Sequence, residues 1–238
     1  MIINKIDEEI IRREEDVFLM LDDLLAKRDA EWWDKFYSNK DKPIPFFINS
    51  PDENLVSYLE SGIFKAGKVL DIGCGNGRNS LYLAEKKFEV DGIDFSQTSI
   101  EWARQRALKS SIDVNFINRS IFDFESLNNS YDYIYDSGCL HHINPHRRNQ
   151  YLSKIAGLLK EDGYFGLTCF NLMGGANISD YDVYREFSMC GGLGFSELKL
   201  KTILEPYFTV LEFREMKESK DNNIYGKEIL WAVLMRKK

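Results

Sequence analysis

Between residues 5 and 30, apolar side chains recur at helical spacing, at Ile6, Ile10, Val17, Leu21, Leu24 and Leu25, with acids and bases between them. Such spacing gathers them on one face and predicts one or two amphipathic helices. "EWWDKFYSNKDKPIPFFINS" follows, rich in aromatics and broken by Pro43, Pro45 and Pro51, so its second half is expected to be extended or looped. Asp52 stands where it would cap a helix over "ENLVSYLES", which Gly62 would end.

From residue 68 short apolar runs alternate with helical patterns. "KVLDI", "FEVDGID", "DVNFIN", "YDYIYD" and "GYFGLTCF" read as strands. "GRNSLYLAEK", "SQTSIEWARQRALKS", with Ser96 as its cap, and "HRRNQYLSKIAGLLK" read as the helices between them. Strands separated by helices of this length pair in parallel through right-handed crossovers, which predicts a doubly wound α/β sheet. After residue 171 the rhythm breaks. "NLMGGANISDYDVYREFSMCGGLG" reads as a loop or insertion and "FSELKLKTILEP" as a last helix. "YFTVLEFREM" and "KEILWAVLMRK", joined by the polar "KESKDNNIYG", form a terminal antiparallel hairpin.

Composition narrows the partners. The chain has 238 residues, 44% hydrophobic and 29% charged, with a net charge of −7. That length buries a core without disulfide staples. The acidic balance argues against nucleic acid, whose phosphates call for a basic face. Cys74, Cys139, Cys169 and Cys190 lie far apart with no CxxC pair and read as reduced thiols. The charged start "MIINKIDEEIIRREED" lacks a signal-type apolar core, and no run approaches the ~18 apolar residues of a membrane span. A cytoplasmic protein without a membrane partner is expected, as a monomer or a homodimer.

The first strand runs into a glycine loop, "VLDIGCGNGRNS", in which Gly73, Gly75 and Gly77 alternate with Cys74 and Asn76. Glycines there admit positive φ and let a ligand lie on bare backbone at a helix start. A dinucleotide site wants a third glycine where Arg78 stands, and Arg78 would crowd the helix against the strand. Asp71 also puts a carboxylate where a pyrophosphate would pass, which suits an ammonium or sulfonium ligand better. Asp94 ends the second strand in "VDGIDFS", where a carboxylate can accept both hydroxyls of a ribose; a turn or capping role is the alternative.

Taken in order, "VLDIGCGNGRNS", "VDGIDFS", "SIFDF", "YDYIYDSGCLHHI" and "LLKEDGYFGL" resemble the successive motifs of class I S-adenosylmethionine-dependent methyltransferases, from about residue 68 to 170. The resemblance implies a Rossmann-like seven-stranded sheet, mostly parallel with an antiparallel C-terminal pair. It also implies S-adenosyl-L-methionine as cofactor and S-adenosyl-L-homocysteine as product. On it, Asp71, Gly73, Cys74, Gly75, Asn76, Gly77, Asp94, Phe95, Ser96, Ser120, Ile121 and Ser137 become the expected cofactor contacts. "EWWDKFYSNKDKPIPFF" and the pattern Asp136 to Tyr151 resemble more narrowly the thiopurine, thiol and tellurite-resistance methyltransferases. There an N-terminal tryptophan and phenylalanine cover the cofactor, which maps onto Trp32 and Phe46. Ser120 stands where that group often has an acid, and Ser137 where it commonly has an arginine.

All three histidines, His141, His142 and His146, fall just beyond the fourth strand, in "DSGCLHHINPHRR". Adjacent histidines diverge and no HxxxH pair marks a metal site, so no metal is expected. His141 or His142 is expected to line the acceptor pocket. Either could act as a general base, or merely pack beneath the cofactor. His146 is expected at the surface, and Arg148 and Tyr151 to fix the loop. The expected organisation is an N-terminal helical and aromatic lid over residues 1–50 and a methyltransferase domain over 51–238, with 172–195 inserted near the substrate. The expected activity is methyl transfer to a small-molecule acceptor, a thiol or another small nucleophile. The alternatives are O- or N-methylation of a biosynthetic metabolite and a non-catalytic cofactor-binding regulator.

Overall fold

The apolar runs that alternate with helices from residue 68 build a seven-stranded sheet in the computed structural model, which describes residues 10–238. Ile6 lies outside the described residues. β1 (Lys68–Ile72), β2 (Glu89–Asp94), β3 (Asn115–Asn118), β4 (Tyr131–Ser137) and β5 (Leu159–Phe170) run parallel. β6 (Phe208–Glu215) and β7 (Leu230–Lys237) form the antiparallel pair, and β7 inserts beside β5 to give the order β3-β2-β1-β4-β5-β7-β6.

Both faces of the sheet are covered, which is why β1 reads as a continuous apolar run. Val69 turns to a layer containing Leu55, Tyr58 and Leu83, and Leu70 to one containing Ile134, Leu152 and Phe165. The covering helices before β5 are α3 (Glu53–Glu60), α4 (Arg78–Glu85), α5 (Gln97–Ser110) and α6 (Arg148–Leu158), preceded at the N-terminus by α1 (Glu14–Leu24) and α2 (Ala30–Ser38). Ser96 caps α5 as expected, accepting from the Ser99 N–H at 3.1 Å. Gly62, at φ 72°, follows the end of α3.

Four expectations shift. Asp52 sits at the N-cap of α3 but its side chain does not cap it; it joins a buried ion pair described below. β5 starts at Leu159 rather than Gly163, because the chain pairs with β4 at Tyr131, turns through Asp162 at φ 62°, and pairs again from Tyr164. The segment after 171 carries its own helix, α7 (Asp180–Arg185), tied to α6 by Arg148 and Asp180 at 2.7 Å, before α8 (Glu197–Leu204). The apolar stripe starts ahead of α1 and leaves the helix without a buried residue: Ile10, before the helix, and Leu24 are 62% and 40% exposed, and Leu25, one residue past its end, is buried.

Candidate active site

The strand order reverses between β1 and β4, and open sheets of this kind bind ligands beyond the carboxyl ends of the strands at that point. A cavity of about 940 Å³ lies there. The glycine loop, the end of β2, the turn after β3 and the Ser137–Cys139 turn wall it, and the N-terminal helices roof it.

Gly73 and Gly75 have φ of 64° and 54°, backbone that a side chain resists. A Cβ on Gly73 would stand 3.1 Å from the Cβ of Cys139, and one on Gly75 would stand 2.8 Å from the Tyr37 hydroxyl. Bare backbone thus keeps the cavity floor open beside Cys74 and Asn76. Gly77, expected from the sequence as a cofactor contact, does not line the cavity; a Cβ on it would meet the Phe116 ring at 2.7 Å, so it packs behind the loop.

Arg78 does not press helix on strand, as its position suggested. Its guanidinium pairs with Asp52 at 2.6 Å, donates to Ser137 Oγ at 2.9 Å and to the Ser50 carbonyl at 3.1 Å, and lies 4.6 Å from the Tyr225 ring centre. Asn79 and the Tyr135 hydroxyl also donate to Asp52, at 3.0 and 2.8 Å. This network ties α3, α4 and β4 together under the cavity and leaves the Ser137 hydroxyl, which also accepts from Thr168 at 3.2 Å, in the cavity wall.

Three buried aspartates mark the strand ends. Burial pushes Asp71 up to about 7, although Ser80 donates to it at 2.5 Å. Burial likewise raises Asp94 to about 6, against hydrogen bonds from the Ser96 and Gly75 N–H groups, both at 2.9 Å. Asp136 is also raised to about 6 by burial, but its oxygens are taken by its own loop: the Cys139 and Leu140 N–H groups at 2.6 and 3.0 Å and the Tyr151 hydroxyl at 2.7 Å. Asp71 and Asp94 face the cavity, and among the described residues neither has a cation within ion-pair distance. Phe95, Ser120 and Ile121 line it beside them. Ser96, also expected from the sequence, does not line it; its hydroxyl caps α5 and donates to Asp34 at 2.7 Å.

The roof comes from α2 and the loop after it. Trp33, Tyr37 and Phe46 line the cavity, and Trp32 does not. Four residues make about one helical turn, so Trp33 and Tyr37 share the inward face. Trp32 turns outward instead, stacks on Phe36 at 5.4 Å and lies under Arg28. Trp33, rather than the Trp32 expected from the sequence, is thus the tryptophan that lines the cavity. The i, i+4 spacing of Trp33 and Tyr37 was the available signal.

Both adjacent histidines line the cavity. His141 stacks on Phe170 at 3.9 Å, and its Nδ1 accepts from the Phe170 N–H at 3.2 Å. That bond uses the ring's lone pair and puts the neutral ring's proton on Nε2, so His141 can donate but not accept. His142 meets Trp33 edge-on at 5.0 Å, and its buried Nδ1 has no hydrogen-bond partner among the described residues. Burial lowers both rings, His142 to about 3. His146 is corrected from surface to anchor: its side chain is 6% exposed and bridges Asp22 at 2.8 Å and the Tyr184 hydroxyl at 2.7 Å. With Arg147, which pairs with Asp22 at 2.6 Å, it fastens α1 to the loop. Tyr225, Thr168 and Phe170, which periodicity marked only as loop or strand residues, complete the walls. Among the described residues no group of three or more His, Cys, Asp and Glu could hold a metal ion.

Residues 69–163 match the family described as methyltransferase domain. A putative methyltransferase of Bacillus subtilis, YqeM, is 31% identical over 84 residues, 35% of this chain and 34% of its own length, so the match spans about a third of that relative. A chain solved in work on the conversion of a disulfide bond into a thioacetal group during echinomycin biosynthesis superposes with a TM-score of 0.70 at 21% identity, over 88% of this chain and 91% of its own. The Burkholderia thailandensis 1,6-didemethyltoxoflavin-N1-methyltransferase, solved with 1,6-didemethyltoxoflavin and S-adenosylhomocysteine, superposes with a TM-score of 0.62 at 21% identity, over 100% of this chain and 98% of its own.

Proposed function

We propose that this chain, whose residues 69–163 match a methyltransferase domain, is an S-adenosyl-L-methionine-dependent methyltransferase that acts on a small-molecule acceptor, a thiol or another small nucleophile. The domain match, the relatives named as methyltransferases and the seven-stranded fold support the enzyme class. One observation carries the reading: two buried carboxylates, Asp71 and Asp94, which have no cation partner among the described residues, face one cavity at the switch point of the sheet.

That arrangement fits S-adenosylmethionine, which brings a positive charge and ribose hydroxyls to carboxylates that, among the described residues, have no cation within ion-pair distance. A nearby cation would draw Asp71 back to its ionised form. Asp94, clamped by two backbone N–H groups, would hold the ribose. The glycine loop would support the amino-acid portion, and Ser120 and Ile121 would flank the adenine. When bound, the cofactor supplies an electrophilic methyl group on a positively charged sulfur. The protein then needs chiefly to place the acceptor in line and keep water out, since positioning alone can provide much of the acceleration. Trp33, Tyr37 and Phe46 cover the cavity from the N-terminal lid, and Met189 of the 172–195 segment lines it near the histidines. His142 orients the acceptor through Nδ1; a ring lowered to about 3 is too weak a base to take a proton near neutral pH. The aromatic lid and the Asp136–Tyr151 bond support kinship with the thiopurine, thiol and tellurite-resistance group.

Turnover of methyl-labelled S-adenosylmethionine against a panel of thiols, amines and phenols tests the proposal. Label transferred to one acceptor class is expected. Tight cofactor binding with no transfer to any acceptor would instead favour a regulator.

A further inference from the structure

Arg28 closes the 3₁₀ turn Ala26–Arg28 between α1 and α2 and lines the cavity at its histidine end. Its guanidinium donates to the Gly191 carbonyl at 2.8 Å and lies 4.5 Å from the Trp32 ring centre. Among the described residues it has no carboxylate within ion-pair distance, whereas its arginine neighbours do. Arg147 holds Asp22 at 2.6 Å and Glu15 at 3.0 Å, and Arg148 holds Asp180 at 2.7 Å. These pairings also occupy Glu15 and Asp22, two acids that line the same cavity. A third, Asp29, is taken by the Trp32 N–H at 2.9 Å. Desolvation lowers the Arg28 pKa with no acid to offset it. Asp71 and Asp94, the unpaired carboxylates of the same cavity, are not within ion-pair distance of Arg28 either, so among the described residues this partly buried cation lacks a counter-ion, which is costly unless a ligand brings one.

The walls around it are flat and apolar. Trp33 meets His142 at 5.0 Å, Phe170 stacks on His141 at 3.9 Å, and Leu25 and Met189 line the same end. Gly192 presses bare backbone on the group, where a Cβ would come within 3.1 Å of both the His142 and the Phe170 rings. The unpartnered Nδ1 of His142 is the second polar atom of this end that lacks a match.

We infer that the methyl acceptor is a small planar acid: its carboxylate pairs with Arg28, its flat apolar body lies between Trp33 and Phe170, and a second polar group meets Nδ1 of His142. This rests on the methyltransferase reading and deepens it to a substrate class. A guanidinium offers two parallel donors that match the two oxygens of a carboxylate, so the acid sets both affinity and orientation. The neutral histidines add no competing charge.

The test uses the full chain with methyl-labelled S-adenosylmethionine and three paired probes: 2-mercaptobenzoate, 2-aminobenzoate and 3-hydroxybenzoate, each against its methyl ester. Calorimetric titration of the same probes into the S-adenosylhomocysteine-loaded protein runs alongside. At least one acid is expected to exceed its ester by tenfold or more in kcat/KM and to bind the loaded protein. Arg28→Ala should remove that preference by lowering the acid to the level of its ester, with the ester and the affinity for S-adenosylhomocysteine changed less than twofold; Arg28→Lys should restore part of it. Equal use of acids and esters would overturn the inference, as would failure of every acid to bind the loaded protein. An Arg28→Ala variant that loses S-adenosylhomocysteine binding would also overturn it, by assigning Arg28 to the cofactor's own carboxylate. Failure of the native chain to bind S-adenosylhomocysteine at all would strike the methyltransferase reading instead.

Discussion

Asp94→Ala should weaken S-adenosylhomocysteine binding roughly a hundredfold near pH 7.5, because a charge-assisted pair of contacts to a ribose is worth about 2–3 kcal/mol. In the structure each carboxylate oxygen already accepts one backbone N–H, from Gly75 and from Ser96, both at 2.9 Å. Alanine therefore frees two donors as well; that of Gly75 lies in the cavity wall, where water can replace the lost acceptor, and that of Ser96 is buried behind it. The fold should survive. The pH profile gives a sharper signature. Burial raises Asp94 to about 6, so the charge that would hold the ribose is complete above that pH and lost as pH falls through it. Native affinity should fall about tenfold between pH 7 and pH 5 for this group alone. Asp71, raised by burial to about 7, acts in the same direction, so the alanine variant should keep a shallower dependence centred higher. Calorimetry at four pH values reads both effects, with circular dichroism checking the fold. A variant that binds within twofold of the native chain, with an unchanged profile from pH 5 to 7, would refute the ribose assignment and leave Asp94 as a turn residue.

Trp33→Ala should raise the dissociation constant for S-adenosylhomocysteine by about tenfold, the scale of one lost aromatic wall, while Trp32→Ala should change it less than twofold; calorimetry of the pair separates the inward from the outward ring. His142→Ala should lower turnover at least tenfold with little change in cofactor affinity. Because that ring stays neutral above about pH 3, the native pH–rate profile should show no histidine inflection between pH 6 and 9. Arg78→Leu should cost about 3–5 kcal/mol by leaving Asp52 buried without its counter-ion, a loss of roughly 10 °C in melting temperature by scanning calorimetry.

The alternation of short apolar runs with helical patterns was enough to set out the sheet, because strands buried on both faces leave a continuous signature. That the glycine loop and Asp94 wall a cavity was legible for a related reason: clefts in such sheets open at fixed strand ends. Facing was less legible. Trp32 and Trp33 are adjacent and chemically alike, and only the phase of α2 decides which looks inward. Ser96 and Gly77 sit inside the right motifs, yet one caps a helix and the other packs on Phe116. Long-range pairing left no local trace at all. The ion pair of Asp52 with Arg78, the clamp of His146 on Asp22 and the hydrogen bond of Phe170 to His141 join residues 26, 124 and 29 positions apart.

Titration of the purified chain with S-adenosylhomocysteine, S-adenosylmethionine and NAD, in parallel by calorimetry, tests the central claim most directly. Saturable one-site binding of both sulfur ligands with similar affinity, and none of NAD, is the expected result. Tight binding of NAD with no binding of either sulfur ligand would contradict the account at its root.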